Sequence, residues 1–527
     1  MRWEHFGVQH NNHQDLDSNF YFGSGSNLEE QIRNGGVQLT NQSSVGQFWK
    51  PSWGTLGPRV GFAYDIFGDG KSSLRGGFGV SYERNFGNVT FNASFNPPAS
   101  AVISETCPNE SASCSYNVTN SNQGPFGTAG PAQNLPPLSI RMPNPNIKTA
   151  QTQFWSLALQ REVARNTIVE LSYNGAHGVH LYDLENVDQY GAGQTYLGDP
   201  LITTPDPVTG RGCGFVNLDT FNPECPTLAN SQYSSINMRG SMGSSSYNSM
   251  NLKFQTQNLH NTGLSLVANW TWAHALDDIS STFSDSLQGG SGYVGSLGYT
   301  DPFNPKLDWG PADYDVRHRV VVSPIWETPW YKSGHSFAAE ALGGWTAVGV
   351  FTARTGVPFT VYDLDFVEIG YTVPRVAPSA ATNYHVSSNP QQDGPNSFAA
   401  LTVPIPSNST SGNPLLGYTD LGPFPANMSG RNAFRGPGAW NLDSAISKKF
   451  KVTERMGMEF RAEGFNIFNH HNMYVFTPNG YFCAYACSGS NPTPLVIDEL
   501  KGGLNNFATG GNHDERRFGQ FSLRFSF

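Results

Sequence analysis

The sequence predicts an all-β fold, an antiparallel transmembrane β-barrel, and three observations lead to that prediction. The last thirteen residues alternate between apolar and polar side chains, and several other segments repeat the alternation. A period of two residues indicates a β-strand with one apolar face. The connections between these segments are alternately short and long, as in barrels with short periplasmic turns and long extracellular loops.

The C-terminal segment, residues 515–527, shows the pattern most clearly. Phe521, Leu523, Phe525 and Phe527 fall on one face of the predicted strand, and polar residues separate them. An amphipathic last strand that ends on an aromatic residue is typical of outer-membrane barrels, where it serves as the assembly signal.

The composition suits many strands joined by polar loops. Charged residues make up 14% of the chain and aromatic residues 13%, with 57 Gly and 35 Pro. No run of 18 apolar residues occurs, so no transmembrane helix is predicted, but a barrel strand needs only about 9–11 residues. The net charge of −10 argues against a nucleic-acid partner, which requires a basic surface.

About twelve strands are expected. They are 2–8, 59–66, 71–83, 155–163, 169–174, 250–255, 264–272, 317–327, 345–354, 440–449, 455–463 and 515–527. The face assignment of 345–354 stays ambiguous, because its apolar residues do not alternate cleanly.

The connections between these strands alternate in length. Short ones are expected near 68–70, 165–166, 259–262, 329–344 and 451–454. Long ones are expected at about 9–57, 84–150, 181–246, 276–316, 357–439 and 470–514. This order places Phe527 at the periplasmic side and the long connections outside the cell.

Charged residues on the polar side of the predicted strands are expected to face a watery lumen. They are Arg59, Asp65, Lys71, Arg75, Glu83, Glu459, Arg461 and Glu463. Opposite charges on neighbouring strands can pair structurally, or they can contact a plug or a solute path. Five tryptophans on the opposite side fit aromatic girdles at the membrane interface, with a packed soluble core as the alternative: Trp155, Trp270, Trp272, Trp326 and Trp440.

The six cysteines form three pairs close in sequence, each in a predicted extracellular loop. The pairs are Cys107/Cys114, Cys213/Cys225 and Cys483/Cys487. Such spacing predicts local disulfides in an oxidising compartment. A zinc site is the alternative, although no Cys and His spacing matches a zinc-ligand set.

No catalytic constellation emerges from the sequence, so the protein is not expected to be an enzyme or to carry a cofactor. The histidine pairs His10/His13 and His470/His471 lie in Asn-rich segments without a carboxylate at ligand spacing. Solvated polar sequence explains them better than a metal site.

Several segments resemble TonB-dependent receptors of the Oar-like subgroup, which carries a carboxypeptidase-regulatory-like N-terminal domain. They are the hairpin at 58–79, the Asp-Tyr-Asp-Val-Arg-His-Arg segment at 313–319, the strand at 460–470 and the terminus at 516–527. The resemblance covers most of the chain, most strongly at the strands.

The resemblance implies a 22-stranded barrel around a plug domain. About twelve strands amount to roughly half of that barrel. No plug or signal peptide is recognisable. Residues 1–527 are therefore expected to be the C-terminal portion of an outer-membrane receptor in a Gram-negative bacterium.

The implied activity is binding of an extracellular solute for TonB-energised uptake by the complete protein. The TonB complex would act only through the missing plug. The loops are rich in Tyr, Trp, Asn and Gly, which suits a glycan or peptide solute, and outer-membrane lipid is the other expected partner. Two alternatives remain, namely a non-transporting barrel for adhesion or surface structure and a soluble glycan-processing enzyme.

Overall fold

The computed structural model describes only part of the chain. The described residues are 1–84, 87–98, 138–188, 229–230, 232–280, 299, 303–330, 337–363, 385–386, 401–403, 429–436, 438–451, 456–470, 472–475, 479–482, 495–496, 500–502 and 517–527. No helix among them is long and apolar enough to cross a membrane.

The described secondary structure is almost entirely β. The strands are β1 (Arg2–Trp3), β2 (Ser18–Tyr21), β3 (Gly36–Leu39), β4 (Leu56–Gly57), β5 (Arg59–Asp65), β6 (Ser72–Glu83), β7 (Leu138–Pro143), β8 (Ala150–Ala164), β9 (Thr167–Asn186), β10 (Tyr233–Thr256), β11 (Leu264–Asp277), β12 (Gly310–Pro311), β13 (His318–Glu327), β14 (Trp345–Arg354), β15 (Pro358–Asp363), β16 (His385–Val386), β17 (Leu401–Val403), β18 (Phe434–Arg435), β19 (Ala439–Lys451), β20 (Gly457–Phe465), β21 (Met473–Val475), β22 (Asn479–Phe482), β23 (Leu495–Val496), β24 (Leu500–Gly502) and β25 (Phe518–Ser526). The α-helices are α1 (Leu28–Arg33) and α2 (Phe337–Leu342), and short 3-10 helices lie at Gln14–Leu16, Thr40–Gln42, Gly87–Val89, Phe91–Phe95, Leu259–Asn261 and Pro305–Asp308.

Eleven strands form the antiparallel path of a 13-stranded sheet, and we call this path the main sheet. Its order is β5-β6-β8-β9-β10-β11-β13-β14-β19-β20-β25. Each of these strands therefore pairs with the main-sheet strand that follows it in the chain. The other two strands lie off the path, where β12 pairs with β11 and β7 pairs in parallel with β10. The connections alternate between short and long as expected, which gives the sheet a short-turn end and a long-connection end.

The expected strand at 2–8 is wrong beyond its first residues. Only Arg2–Trp3 forms a strand, and it pairs with Leu56–Gly57 outside the main sheet. Beyond this pair, the Glu4 backbone N–H donates to the Thr55 carbonyl at 3.1 Å, and the His5 ring stacks on the Trp53 ring at a centroid distance of 3.5 Å.

The two faces of the main sheet differ in chemistry along neighbouring register rows. One register row reads Tyr64, Leu74, Leu159, Leu171, Leu252, Trp270, Val320, Ala353 and Trp440 across nine strands. The adjacent row reads Ala63, Arg75, Ala158, Ser172, Asn251, Thr271, Arg319, Arg354 and Ala439. We call the sides that carry these rows the apolar face and the polar face.

The register also settles the strand whose faces the sequence leaves ambiguous. In β14, Phe351 pairs with Leu442 on the apolar face and Thr352 pairs with Asn441 on the polar face. The five tryptophans expected in aromatic girdles all lie on the apolar face by the same register.

The apolar face is uncovered within the described residues. Val60, Phe62 and Tyr64 are 53–71% exposed at one edge, and Leu523 and Phe525 are 54% and 58% exposed at the other. A soluble sandwich would bury this face under a second sheet. A contiguous apolar surface of this extent instead indicates contact with a membrane or another apolar partner.

The packed apolar cores lie at the long-connection end, in segments that the sequence analysis treated as loops. One cluster joins β2, α1, β7 and the first residues of β10: Phe20, Ile32, Leu138, Ile140, Met142, Val187, Ala229, Tyr233, Ile236 and Met238. A second cluster comprises Phe48, Trp49, Val89, Ala93, Ile147, Ala150 and Tyr182. These cores make the ends of β9 and β10 part of a folded cap.

The helix α1 in this cap has a defined start. The Asn27 side chain accepts a hydrogen bond from the Glu30 backbone N–H at 2.8 Å. The Glu30 carboxylate in turn accepts one from the Ser26 backbone N–H at 2.7 Å. Such reciprocal capping satisfies backbone donors that a helix leaves open, and it fixes where the chain enters the helix.

The main sheet has two outer strands, β5 and β25. On the outer side of each, the described part of the chain supplies no partner along the strand. Every residue of both strands is exposed.

Candidate functional site

A pocket of about 710 Å³ lies on the polar face of the main sheet near its long-connection end. Strands β10, β11, β13, β14 and β19 supply its walls. Its polar and aromatic lining includes Tyr247, Asn251, Thr271, Tyr314, Asp315, Arg319, Thr352, Arg354, Asn441 and Asn472. The alternation of each strand accounts for this lining, because side chains two residues apart point to the same side.

Asp315 lies in the pocket wall just before β13 and is held by three kinds of donor. Its carboxylate accepts a hydrogen bond from the Ala275 backbone N–H at 2.8 Å and forms ion pairs with Arg435 and with Arg317, whose Nε lies at 3.2 Å. The His274 ring nitrogen Nδ1 lies 3.3 Å from the same carboxylate. The Asp315 side chain is 1% exposed, so its charge is neutralised inside the wall.

These donors determine the protonation of the carboxyl group. Burial acts to raise the pKa of Asp315, but the Ala275 N–H and the Arg435 guanidinium outweigh it. The pKa is therefore lowered, and Asp315 remains ionised at neutral pH.

Arg431 forms a second anchor in the segment beside the pocket, which we call its rim, because its partner Asp313 directly precedes the lining residue Tyr314. Its guanidinium pairs with Asp277, donates to the Asp277 carbonyl at 2.7 Å and donates to the Asp308 carbonyl at 2.8 Å. It also lies 3.4 Å from the Asp313 carboxylate and 3.1 Å from the Ser280 hydroxyl. Burial lowers the pKa of Arg431, but the neighbouring carboxylates outweigh that effect and raise it, so the cation is retained.

Arg431 and Arg435 lie near the end of the long connection between β14 and β19, and this segment packs against the start of the same connection. Phe359 and Phe434 are opposite each other in β15 and β18, and their ring centroids are 5.6 Å apart. Both side chains are at most 1% exposed. Asn432 adds a backbone N–H donated to the Thr360 hydroxyl at 2.9 Å. The rim is thus preorganised by apolar contacts as well as by charge.

Arg319 and Arg354 are the two cationic residues of the lining. They are opposite each other in the β13–β14 pair, on the polar face. Within the described residues neither side chain has an ion pair, and both are exposed to the pocket.

The charged residues predicted from the first hairpin lie away from this pocket. Arg59 and Asp65 are on the polar face of β5, and Arg75 and Glu83 are on that of β6, whereas Lys71 precedes β6. Asp65 accepts a hydrogen bond from the Gly70 backbone N–H at 2.8 Å, so it stabilises the turn.

Among the described residues, Arg75 is the one predicted lumen charge of the first hairpin that forms an ion pair with another strand. It donates to Glu170 at 2.9 Å and to Gln160 at 2.5 Å. This arrangement is the structural pairing that the sequence analysis weighed against a role with solute.

The predicted charges near the C terminus form a separate group on β20. Glu459, Arg461 and Glu463 share the polar face, and Arg461 Nε donates to Glu463 at 2.6 Å. Their partners in register on β25 are the polar residues Arg524, Ser522 and Gln520. The predicted terminal signal residues Phe521, Leu523 and Phe525 lie on the apolar face of β25, and Phe527 follows β25 and is 98% exposed.

The six cysteines predicted to form local disulfides all lie outside the described residues: Cys107, Cys114, Cys213, Cys225, Cys483 and Cys487. Within the described part of the chain, no group of three or more His, Cys, Asp or Glu side chains could hold a metal ion.

Sequence reasoning missed the pocket residues as a set. Arg319 belongs to the 313–319 segment that carries part of the resemblance, but nothing in the sequence pairs it with Arg354. Each of two consecutive strands carries an arginine, and this signal would have pointed to the pocket if the register between β13 and β14 had been known.

Comparison with known proteins relates most of the chain to outer-membrane proteins. Solved structures with a similar chain path include the outer membrane transporter YddB from Escherichia coli, with 9% identity, a TM-score of 0.38 and coverage of 79% of this chain and 37% of that one. The ferripyoverdine receptor of Pseudomonas aeruginosa has 8% identity and a TM-score of 0.37, with coverage of 90% and 34%. The siderophore receptor PirA from Acinetobacter baumannii has 9% identity and a TM-score of 0.36, with coverage of 91% and 42%.

The aligned part thus spans well under half the length of each of these three structures. No curated protein sequence matched the chain. The family model "Outer membrane beta barrel domain" matches residues 1–491, which is most of the chain. Together with the antiparallel main sheet and its two chemically distinct faces, this match shows that the chain belongs to the outer membrane β-barrel domain family of the Gram-negative outer membrane.

Proposed function

We propose that this chain is the receptor and transporter barrel of a TonB-dependent outer-membrane protein, which binds an extracellular solute and passes it inward. The observation that carries the proposal is the pocket on the polar face, at the end of the sheet where the long connections lie. Binding sites concentrate where loops meet a rigid scaffold.

The anchored rim supports a binding role. Arg431 and Arg435 hold one side of the pocket through buried ion pairs with Asp277 and Asp315. Side chains fixed in advance lose less conformational freedom when a ligand binds, which favours affinity. A structural barrel would not require a rim held in this way.

The uncovered apolar face supports the membrane setting of this proposal. In the complete protein it contacts outer-membrane lipid, while the polar face lines the lumen. The resemblance at 58–79, 313–319, 460–470 and 516–527 supports the Oar-like subgroup of TonB-dependent receptors. In this proposal residues 1–527 form the C-terminal part of the barrel, and the TonB complex acts through a plug that lies outside it.

A second candidate is a non-transporting surface protein used for adhesion. The two apolar clusters at the long-connection end favour it, because they build a folded cap where a partner on another cell would bind. The two functions differ in their dependence on the pocket.

The test compares solute uptake and surface attachment in cells that carry variants of the full-length protein. Ala439→Trp fills the pocket, and Ala158→Trp introduces the same side chain in the same polar-face row but away from the pocket. In a deletion strain, growth on a panel of scarce nutrients identifies the solute whose uptake is lost.

We expect wild type and Ala158→Trp to restore that uptake and Ala439→Trp to fail, with equal amounts of each protein in the outer membrane. If deletion reduces attachment and leaves the uptake of every nutrient unchanged, the adhesion candidate replaces the transporter.

A further inference from the structure

We infer that the pocket binds a small multivalent oxyanion, a carboxylate or phosphate compound, between the guanidinium groups of Arg319 and Arg354. This inference rests on the proposed receptor function and names the chemical class of its solute. It starts from an arrangement that the fold alone does not explain, namely two like charges directly opposite each other in an antiparallel strand pair. Like charges in that position destabilise a sheet.

Within the described residues, the lining leaves both charges without a counterion. Among the described lining residues, Asp315 is the one carboxylate. Its two oxygen atoms are already engaged by Arg317, Arg435 and the Ala275 backbone N–H. Asp315 therefore does not neutralise Arg319 and Arg354, and the wall carries a net positive charge.

Two acidic side chains near the pocket are also neutralised by ion pairs. Asp277, the last residue of β11, and Asp313, which precedes β13, both pair with the buried Arg431. The positive charge of the pocket is consequently local, although the chain as a whole carries a net charge of −10. The pocket therefore attracts small anions, while the negative charge on the rest of the protein repels large anionic partners.

Neutral donors complete the site. The Thr271 hydroxyl donates to the Asn251 amide oxygen at 2.7 Å, which orients that amide and leaves its N–H groups as donors. Arginine forks bind carboxylate and phosphate oxygens through paired, charge-assisted hydrogen bonds. The volume of about 710 Å³ lies in the range of small-molecule pockets. These features favour a compact anion with two or more acidic groups.

The test measures binding to the purified chain in detergent micelles by titration calorimetry. Citrate and tripolyphosphate are the two oxyanion probes, and maltotriose is the neutral probe. The variants are Arg319→Gln, Arg354→Gln and the double variant. Arg59→Gln is the matched control, because Arg59 lies on the same polar face several strands away from the pocket.

We expect at least one oxyanion to bind wild type and Arg59→Gln equally, with an affinity that falls as salt is added. Each pocket variant should bind at least about tenfold more weakly, because a charge-assisted contact is lost. Tighter binding of citrate identifies the solute as a carboxylate compound, and tighter binding of tripolyphosphate identifies it as a phosphate compound.

Thermal unfolding separates this role from a structural one. Removing one of two opposed cations should leave the unfolding temperature of Arg319→Gln and Arg354→Gln unchanged or higher. A lower unfolding temperature of these variants would assign the pair a structural role and overturn the inference.

Tighter binding of maltotriose than of either anion, unaffected by both variants, would also overturn it. That result leaves the receptor function standing, because nutrient uptake blocked by Ala439→Trp tests it separately. Unchanged uptake after gene deletion would instead remove the receptor function itself.

Discussion

Replacing Arg431 by glutamine is expected to release the rim of the pocket. The Arg431 side chain is 11% exposed and its partner Asp277 is 2% exposed, so the change leaves a buried carboxylate without its cation. Breaking such a pair costs about 3–5 kcal/mol. Asp277 keeps hydrogen bonds from the Ser280 hydroxyl at 2.9 and 3.0 Å, which places the expected cost near the lower end of that range.

The consequence is measurable as local opening. A loss of about 3 kcal/mol corresponds to roughly 100-fold faster amide hydrogen exchange where opening limits exchange. The assay is hydrogen-exchange mass spectrometry of the detergent-solubilised chain, read at residues 308–315 and 429–436. Strands β8 and β9, which lie outside this network, serve as the internal reference.

Two further variants test the reasoning. Arg435→Gln should have a smaller effect, because Asp315 keeps Arg317 and the Ala275 N–H. Adding Asp277→Asn to Arg431→Gln should restore part of the protection, since no buried charge then remains unpaired. Unchanged exchange in Arg431→Gln, or strictly additive effects in the double variant, would refute this account of the rim.

Three more outcomes are expected. Burial raises the pKa of Asp188 to about 7, so the folded state retains a proton that the unfolded state loses near pH 4. Stability of the cap should therefore fall by up to about 4 kcal/mol between pH 4 and 7 and then level off, and thermal unfolding of Asp188→Asn should lack that part of the pH dependence. Gly175→Ala should lower the unfolding temperature by displacing Trp155, since an added Cβ would lie 2.3 Å from the indole ring, and Trp155→Ala should relieve the effect. Arg75→Ala should cost less than about 1 kcal/mol in denaturant unfolding, because its pair with Glu170 is half exposed; a larger loss would show that this pair is more than a surface contact.

The main sheet could be predicted from the sequence because its signal is local. Each strand alternates within its own residues, as in Val60, Phe62 and Tyr64 of β5, and the strands follow one another in chain order. The exception is residues 2–8, of which only Arg2–Trp3 forms a strand and where the His5 ring stacks on the Trp53 ring. Stacking between residues 48 positions apart has no signature in a single sequence window.

The cap and the pocket could not be predicted for a related reason. Phe20, Leu138 and Ile236 pack together although long stretches of chain separate them, and no periodicity marks such a cluster. The positions of Arg319 and Arg354 depend on the register of β14, whose faces the sequence leaves ambiguous. The anchors Arg431 and Arg435 lie in a long connection, where partners are set by tertiary folding alone.

The described residues leave the outer sides of β5 and β25 without a strand partner, which has a consequence for how the proposed barrel is completed. Eleven strands that alternate in direction leave the first and the last pointing the same way. Joining these two edges directly would create a parallel seam, whereas single-chain bacterial outer-membrane barrels close with an even number of antiparallel strands. In the proposed receptor barrel, the strands that complete the ring beyond these eleven would therefore be odd in number. The first of them along β5 would continue the line on which Arg2–Trp3 already pairs with Leu56–Gly57.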